Sequence, residues 1–245
     1  MAAVTNVLQK VKPYVPVGVK RAVRKRVPAR YYRYFDPEWH RRTIGYVEEW
    51  EKHGQAQFDY LEGQGLEPQH YFLDIGCGPL RGGVHFIRFL ETGHYFGVEK
   101  NEAVLDTASE VELPRYGLVD KQPTLRADGS FDFQALDQQF DFAWAQSVFT
   151  HLPINSIQRC LMNVEKVLRP GGKFFATFYE NPEGKRNLEA IRQSPQVVSY
   201  FDEDSFHYDV GTFEWICDGT SLHVEYLGGW NNPRNQKVLL FQKSG

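Results

Sequence analysis

From residue 71 onward, short apolar runs alternate with stretches whose apolar residues recur at helical spacing. Few folds accept that alternation. Residues 71–75, 95–99, 124–127, 140–145 and 173–179 read as strands, and 82–90, 101–110 and 210–218 as helices. The best-marked helix carries Ile154, Ile157, Leu161, Val164 and Leu168 on one face. Asn155 and Gln158 predict a capping-box start, and Pro170-Gly171-Gly172 a stop before the next strand. Residues 221–227 and 237–242 read as two further strands, close in sequence and antiparallel. Strand–helix–strand crossovers favour parallel pairing with both faces covered. The expected class is therefore α/β: a doubly wound, mainly parallel sheet of about seven strands with the last strand antiparallel, plus N-terminal helices.

Before residue 71 the chain reads differently. Residues 1–35 hold nine Lys/Arg and no acid, whereas the whole chain has a net charge of −3, so a basic arm is joined to an acidic body. Residues 18–26 suit one short basic helix. Asp36-Pro37 predicts a firmer one, with Asp as N-cap and Pro at the first helical position. Trp39, Ile44, Val47 and Trp50 form its apolar stripe, and a second helix near residues 55–61 ends at Gly63-Gln64-Gly65. The scheme is an arm over 1–35 and one domain over 36–245. That domain has a helical lead-in (36–65) and an α/β core (70–245) with an insert at 181–208. The arm's charge suits peripheral contact with an anionic membrane. The acidic body disfavours a specific nucleic-acid partner. No apolar stretch approaches the roughly 18–20 residues of a membrane-spanning helix, and no secretion signal is read. Cys77, Cys160 and Cys217 lack C-x-x-C spacing, which disfavours a disulfide framework or a zinc site. The expected location is cytoplasmic, peripheral to the inner face of a membrane where the arm engages one.

The most informative stretch is Phe72-Leu73-Asp74-Ile75-Gly76-Cys77-Gly78-Pro79-Leu80-Arg81-Gly82-Gly83. A strand runs into a glycine-rich turn and a helix follows. Glycine lets backbone approach a ligand closely, and a helix N-terminus offers free N–H groups. A dinucleotide site wants G-x-G-x-x-G/A, but the sixth position here is Arg81. Asp74, Gly76 and Gly78 instead supply D-x-G-x-G. Glu99 ends the next strand, 25 positions after Asp74, where a carboxylate can accept hydrogen bonds from both hydroxyls of a ribose.

This turn resembles the first motif of the class I S-adenosylmethionine-dependent methyltransferases. Residues 140–147 resemble the family's fourth-strand motif, Ser147-Val148-Phe149-Thr150-His151-Leu152 the loop after it, and Leu168-Arg169-Pro170-Gly171-Gly172 the turn before strand five. The resemblance covers about residues 70–242. It implies a Rossmann-like fold and S-adenosyl-L-methionine as cofactor. The turn's backbone would wrap the methionine part, with Asp74, Gly76, Cys77, Gly78 and Arg81 in the binding set, joined by Glu99, Gln146 and Ser147. Asp128 or Asp132 would meet the adenine amino group, with Asp132 favoured. The family often has a third glycine where this chain has Leu80. A nicotinamide-dependent oxidoreductase on a similar fold is the alternative that Arg81 disfavours; a non-catalytic cofactor-binding partner is another.

A sulfonium methyl is already electrophilic, so the protein mainly has to align a nucleophile and remove its proton. His151, just after strand four, is the first candidate base, and a loop-ordering role is its alternative. His207 and Tyr208, near the end of the long insert, form a second candidate pair. Asp202, Glu203, Asp204 and Asp209 read as a solvated charge run rather than a metal site. Ser147 lacks the flanking glycines of a nucleophile elbow. The aromatic-rich insert (Tyr200, Phe201, Phe206, Tyr208) suits a small-molecule or glycan acceptor, methylated on oxygen.

Overall fold

The computed structural model describes residues 38–44, 47–183 and 187–245. The basic arm, its short helix and the Asp36-Pro37 helix start lie outside the described residues, and with them the membrane contact. Among the described residues no helix is long and apolar enough to cross a membrane.

An eight-stranded sheet organises the domain, one short strand branching off a seven-strand path. The strands of the path are β1 (Phe72–Ile75), β2 (Tyr95–Glu99), β3 (Thr124–Ala127), β4 (Phe140–Ala145), β5 (Leu168–Glu180), β9 (Leu222–Gly229) and β10 (Lys237–Lys243), in the order β3-β2-β1-β4-β5-β10-β9. The pairs β1–β2, β1–β4, β2–β3 and β4–β5 are parallel. β10 is antiparallel to both β5 and β9, so the last strand reverses as expected. The sheet is apolar on both faces. Leu73, Ala143 and Phe174 point into one core with α6 (Ile154–Val167) and α7 (Val210–Cys217). Phe72, Trp144 and Phe175 point into the other, with α2 (Trp50–Gly63) and α3 (Gly83–Phe89). Fully buried Trp144 shows how the lead-in is tied down: its indole N–H donates to Gln57 Oε1 on α2 at 3.1 Å.

Four local expectations are corrected. Leu168, Pro170 and both glycines belong to β5, which starts at Leu168. The β4–β5 register slips between Phe140 and Phe142, and Gly171 has φ +76°, so the turn chemistry makes a bulge rather than a stop. The capping box at Asn155 does not form. Pro153 occupies the cap with φ −65° and ψ 155°, and its carbonyl takes the amides of Ser156 and Ile157. Fixed φ has displaced side-chain capping there. The lead-in stripe is divided between α1 (Trp39–Thr43) and the much longer α2. The helix after β2 starts as α4 (Glu102–Thr107), widens into a π turn (Ala108–Glu112) and ends as α5 (Leu113–Arg115).

The 181–208 insert contains a two-stranded hairpin, β6 (Ile191–Ser194) with β7 (Val197–Ser199). A short strand β8 (His207–Tyr208) then pairs parallel to Tyr179 and Glu180 at the end of β5. The insert therefore sits at the C-terminal edge of the sheet, where parallel α/β folds place their ligands.

Candidate functional site

The first half of the site is the bend after β1. Gly76 and Cys77 both donate their amides to Val98 O, at 2.7 and 3.1 Å. Gly76 (φ +71°) and Gly78 (φ +53°) are left-handed. A Cβ on Gly76 would lie 2.6 Å from Val148 Cγ2, so only glycine fits the bend. Leu80 is also left-handed, with φ +64°. The conformation expected of a third glycine is thus kept by a leucine. Its strain, roughly 1–3 kcal/mol, is offset by complete burial of the side chain, on the order of 1.5–3 kcal/mol.

Asp74 is buried and accepts a 2.7 Å hydrogen bond from Tyr95 Oη. Burial pushes its carboxyl up to about 7; the Tyr95 bond opposes that rise and the charge of Glu99 adds to it. Ile75 pairs with Val98, so Asp74, one residue before the end of β1, and Glu99, the last residue of β2, lie near the same edge of adjacent strands. Glu99 is half-buried, and its Oε1 accepts the Asn101 amide at 2.9 Å. The cradle that a Cβ would fill and a carboxylate at the neighbouring strand end suit an aminoacyl group joined to a ribose. Cys77 is buried beneath the bend, and burial raises its thiol far above the usual range. Its side chain packs, with Sγ donating to Gly78 O at 3.7 Å.

At the next strand the structure distinguishes the two aspartates. The Asp128 amide donates to Glu99 O at 3.0 Å. The Asp128 carboxylate accepts from Ser130 and from the Asp132 amide. The Asp132 carboxylate is exposed and lies 3.9 Å from Arg126. Asp128, rather than the favoured Asp132, adjoins Glu99. The uncertain register of β3 is what hid this.

Arg81 is buried and lines a small cavity with His53, Gln57, Gln146, Trp230 and Arg234. The 230–234 turn between the last strands, readable as purely structural, thus reaches the site. Arg234 Nη2 donates to Ile44 O at 3.0 Å, and Ile44 Cγ2 lies 3.7 Å from where a Gly78 Cβ would be. The end of α1 therefore rests on the bend. A clasp holds it there: Glu112, fully buried, meets His40 Nε2 at 2.5 Å and Arg41 through two bonds of 2.6 and 2.9 Å. Burial alone would raise the Glu112 carboxyl, but the His40 and Arg41 hydrogen bonds and the Arg41 and Arg115 charges hold it at about 2. Glu38, His40 and Glu112 cluster closely enough to ligate an ion, but Arg41 and Arg115 already balance their charge. Sequence reasoning missed the clasp because its partners are about seventy positions apart with no motif between them.

The second half of the site follows β4. Ser147 is left-handed (φ +59°); its amide donates to Thr177 Oγ1 at 2.7 Å, and Gln146 Nε2 donates to its Oγ at 2.8 Å. Buried Gln236 joins this network, also unforeseen. His151 closes a short 3-10 turn and is half-exposed. Its Nδ1 lies 2.5 Å from Asp204 Oδ1. His151 lines a cavity of about 470 Å³ with Tyr179, Gln196, Val198, Ser205 and Arg234. Arg234 borders both this cavity and the Arg81 cavity, so the two halves meet there. His207 and Tyr208 are placed otherwise. His207 is buried with Nδ1 3.0 Å from Ser199 Oγ, and burial lowers its pKa. Tyr208 Oη donates to Leu152 O at 2.6 Å, and burial raises its pKa. Tyr208 Oη and His207 Nδ1 are engaged within the fold, whereas His207 Nε2 is buried and makes no hydrogen bond. Glu180 accepts from Tyr226 Oη at 2.8 Å.

A strand-order reversal between β1 and β4, a left-handed glycine bend and a strand-end acid define a nucleoside-binding α/β domain. Residues 73–174 match a family model described as a methyltransferase domain. That match spans 102 of the 245 residues, and over them the chain is similar to S-adenosylmethionine-dependent methyltransferases. An uncharacterised methyltransferase of Schizosaccharomyces pombe is 29% identical over 106 residues, 41% of this chain. The match spans 36% of that relative's length. Magnesium protoporphyrin IX methyltransferase of Synechocystis with bound SAM superposes with a TM-score of 0.59 at 14% identity, over 89% of this chain and 98% of that one. DesVI of Streptomyces venezuelae gives 0.57 at 18% identity, over 82% and 95%.

Proposed function

We propose that the protein methylates a hydroxyl oxygen of a small molecule or glycan, with His151 as the base. The observation that carries the reading is the imidazole on the wall of the 470 Å³ cavity, which shares Arg234 with the cavity that Arg81 lines. S-adenosylmethionine, when bound, supplies an activated methyl group. Gly76 and Gly78 give the bend its shape, and Glu99 holds the ribose. Asp128 stands where an adenine amino group would follow, and Arg81 offers a cation to the methionine carboxylate. Gln146 and Ser147 floor the crevice. The acceptor hydroxyl faces His151 Nε2, which takes its proton as the oxygen attacks.

Calorimetric titration with S-adenosylhomocysteine and with NADH tests the cofactor part; binding of the first alone is expected. Incubation with panels of hydroxyl and amine acceptors, read by mass spectrometry, tests the rest. Methylation restricted to amines would overturn the oxygen assignment.

A further inference from the structure

We propose that Asp204 is the positioning residue of the acceptor site: it fixes the tautomer and orientation of His151. The inference deepens the reading of His151 as base and rests on it. A carboxylate only accepts hydrogen bonds, so the 2.5 Å contact with Asp204 Oδ1 requires that Nδ1 carry the hydrogen. In the neutral ring Nε2 is then the atom with the free lone pair. Without such a partner a histidine in water favours hydrogen on Nε2, the form that cannot take a proton there.

The scaffold around the pair serves the same end. The insert is bonded to the residues on both sides of His151. Phe206 N donates to Thr150 O at 2.8 Å, and Tyr208 Oη to Leu152 O at 2.6 Å. Within the insert, Tyr200 N donates to Ser205 O at 2.7 Å and His207 N to Tyr200 O at 3.0 Å, closing the loop that carries Asp204. The buried Ser199–His207 bond anchors that loop from below. Tyr208 and His207, read from sequence as catalytic candidates, thus hold the loop that presents Asp204. Both members of the pair are about half exposed, 50% and 59%, so solvent screens their attraction and its contribution to stability is small. An exposed pair held by so much buried scaffolding is built for direction. In the proposed step the acceptor's O–H proton moves to His151 Nε2 as its oxygen bonds the methyl carbon. The C–S electron pair stays on sulfur, the imidazolium is stabilised by Asp204, and its proton then leaves to water.

The test uses the full chain labelled with ¹⁵N-histidine at about pH 8.5, where an ordinary imidazole is neutral, with His151→Gln to assign the resonance. Wild type is expected to show His151 mainly as the Nδ1–H tautomer, and Asp204→Ala to shift it to Nε2–H with an unchanged thermal midpoint. On an acceptor found by the panel, Asp204→Ala should lower kcat roughly tenfold to a hundredfold, within what a base supplies. KM and S-adenosylhomocysteine affinity should stay unchanged, and Asp204→Glu should restore part of the rate. A His151 tautomer indifferent to Asp204→Ala overturns the positioning role. A tautomer that switches while His151→Gln turns over at the wild-type rate instead overturns the catalytic reading of His151, so the two failures are read from different measurements.

Discussion

The proposed cofactor half and the proposed acceptor half of this crevice are built by different means. The first is backbone: a left-handed bend, amides shared on Val98 O and one carboxylate near each strand end. The second is side chains on a turn and an insert: His151, Ser205 and Arg234 around an open cavity, with Asp204 against His151. Backbone sites tolerate few changes of residue type, whereas side-chain sites can be rebuilt while the sheet beneath stays the same.

Substitutions can break this contrast, and the largest effect belongs to the acceptor side. His151→Gln should cut the methylation rate about 100- to 10,000-fold while leaving S-adenosylhomocysteine binding unchanged by calorimetry; an equal loss of both would erase the distinction between halves. Next comes Glu112→Ala, which strands Arg41 and His40 beside an emptied, buried position. It should cost roughly 3–5 kcal/mol, read as faster amide exchange over residues 38–44 and a lower melting temperature. The same change should weaken cofactor binding through Ile44, and unaffected binding would take α1 out of the cofactor half. Glu99→Ala removes the carboxylate proposed to hold the ribose and should weaken S-adenosylhomocysteine binding by about 1.5–3 kcal/mol, with stability almost unchanged.

The last effect is graded with pH and is the smallest when taken per pH unit. Asp74 titrates at about 7 in the folded protein, above its ordinary 3.8. Between those values the native state holds a proton that the unfolded chain has released. Its contribution is therefore present at low pH and lost as pH rises towards 7. Relative to Asp74→Asn, wild type should lose on the order of 1 kcal/mol of stability per pH unit across that window, measured by denaturant unfolding at pH 5 and 7. Parallel pH curves for the two proteins would show Asp74 to be ionised in the folded state.

The contrast between halves also governs what could be read from the chain. The alternation of strands with helices and the D-x-G-x-G bend were legible because period, glycine placement and strand-end acids are local properties. Glu99 could be found by counting from Asp74. Asp128 was overshadowed by Asp132 because β3 is short and only partly buried, so little in its pattern pins the register. Pro153 and the β5 bulge show local turn chemistry put to other uses. The Glu112 clasp, Gln236 and the His151–Asp204 pair were invisible because they depend on tertiary proximity across 53 to 90 positions.

Leu80 holds glycine-like torsion angles without being glycine. A search template spelled as three invariant letters would pass over this chain, whereas one written in dihedral angles would retrieve it. Other genomic sequences with a bulky apolar residue at that point merit inspection before being set aside as degenerate copies.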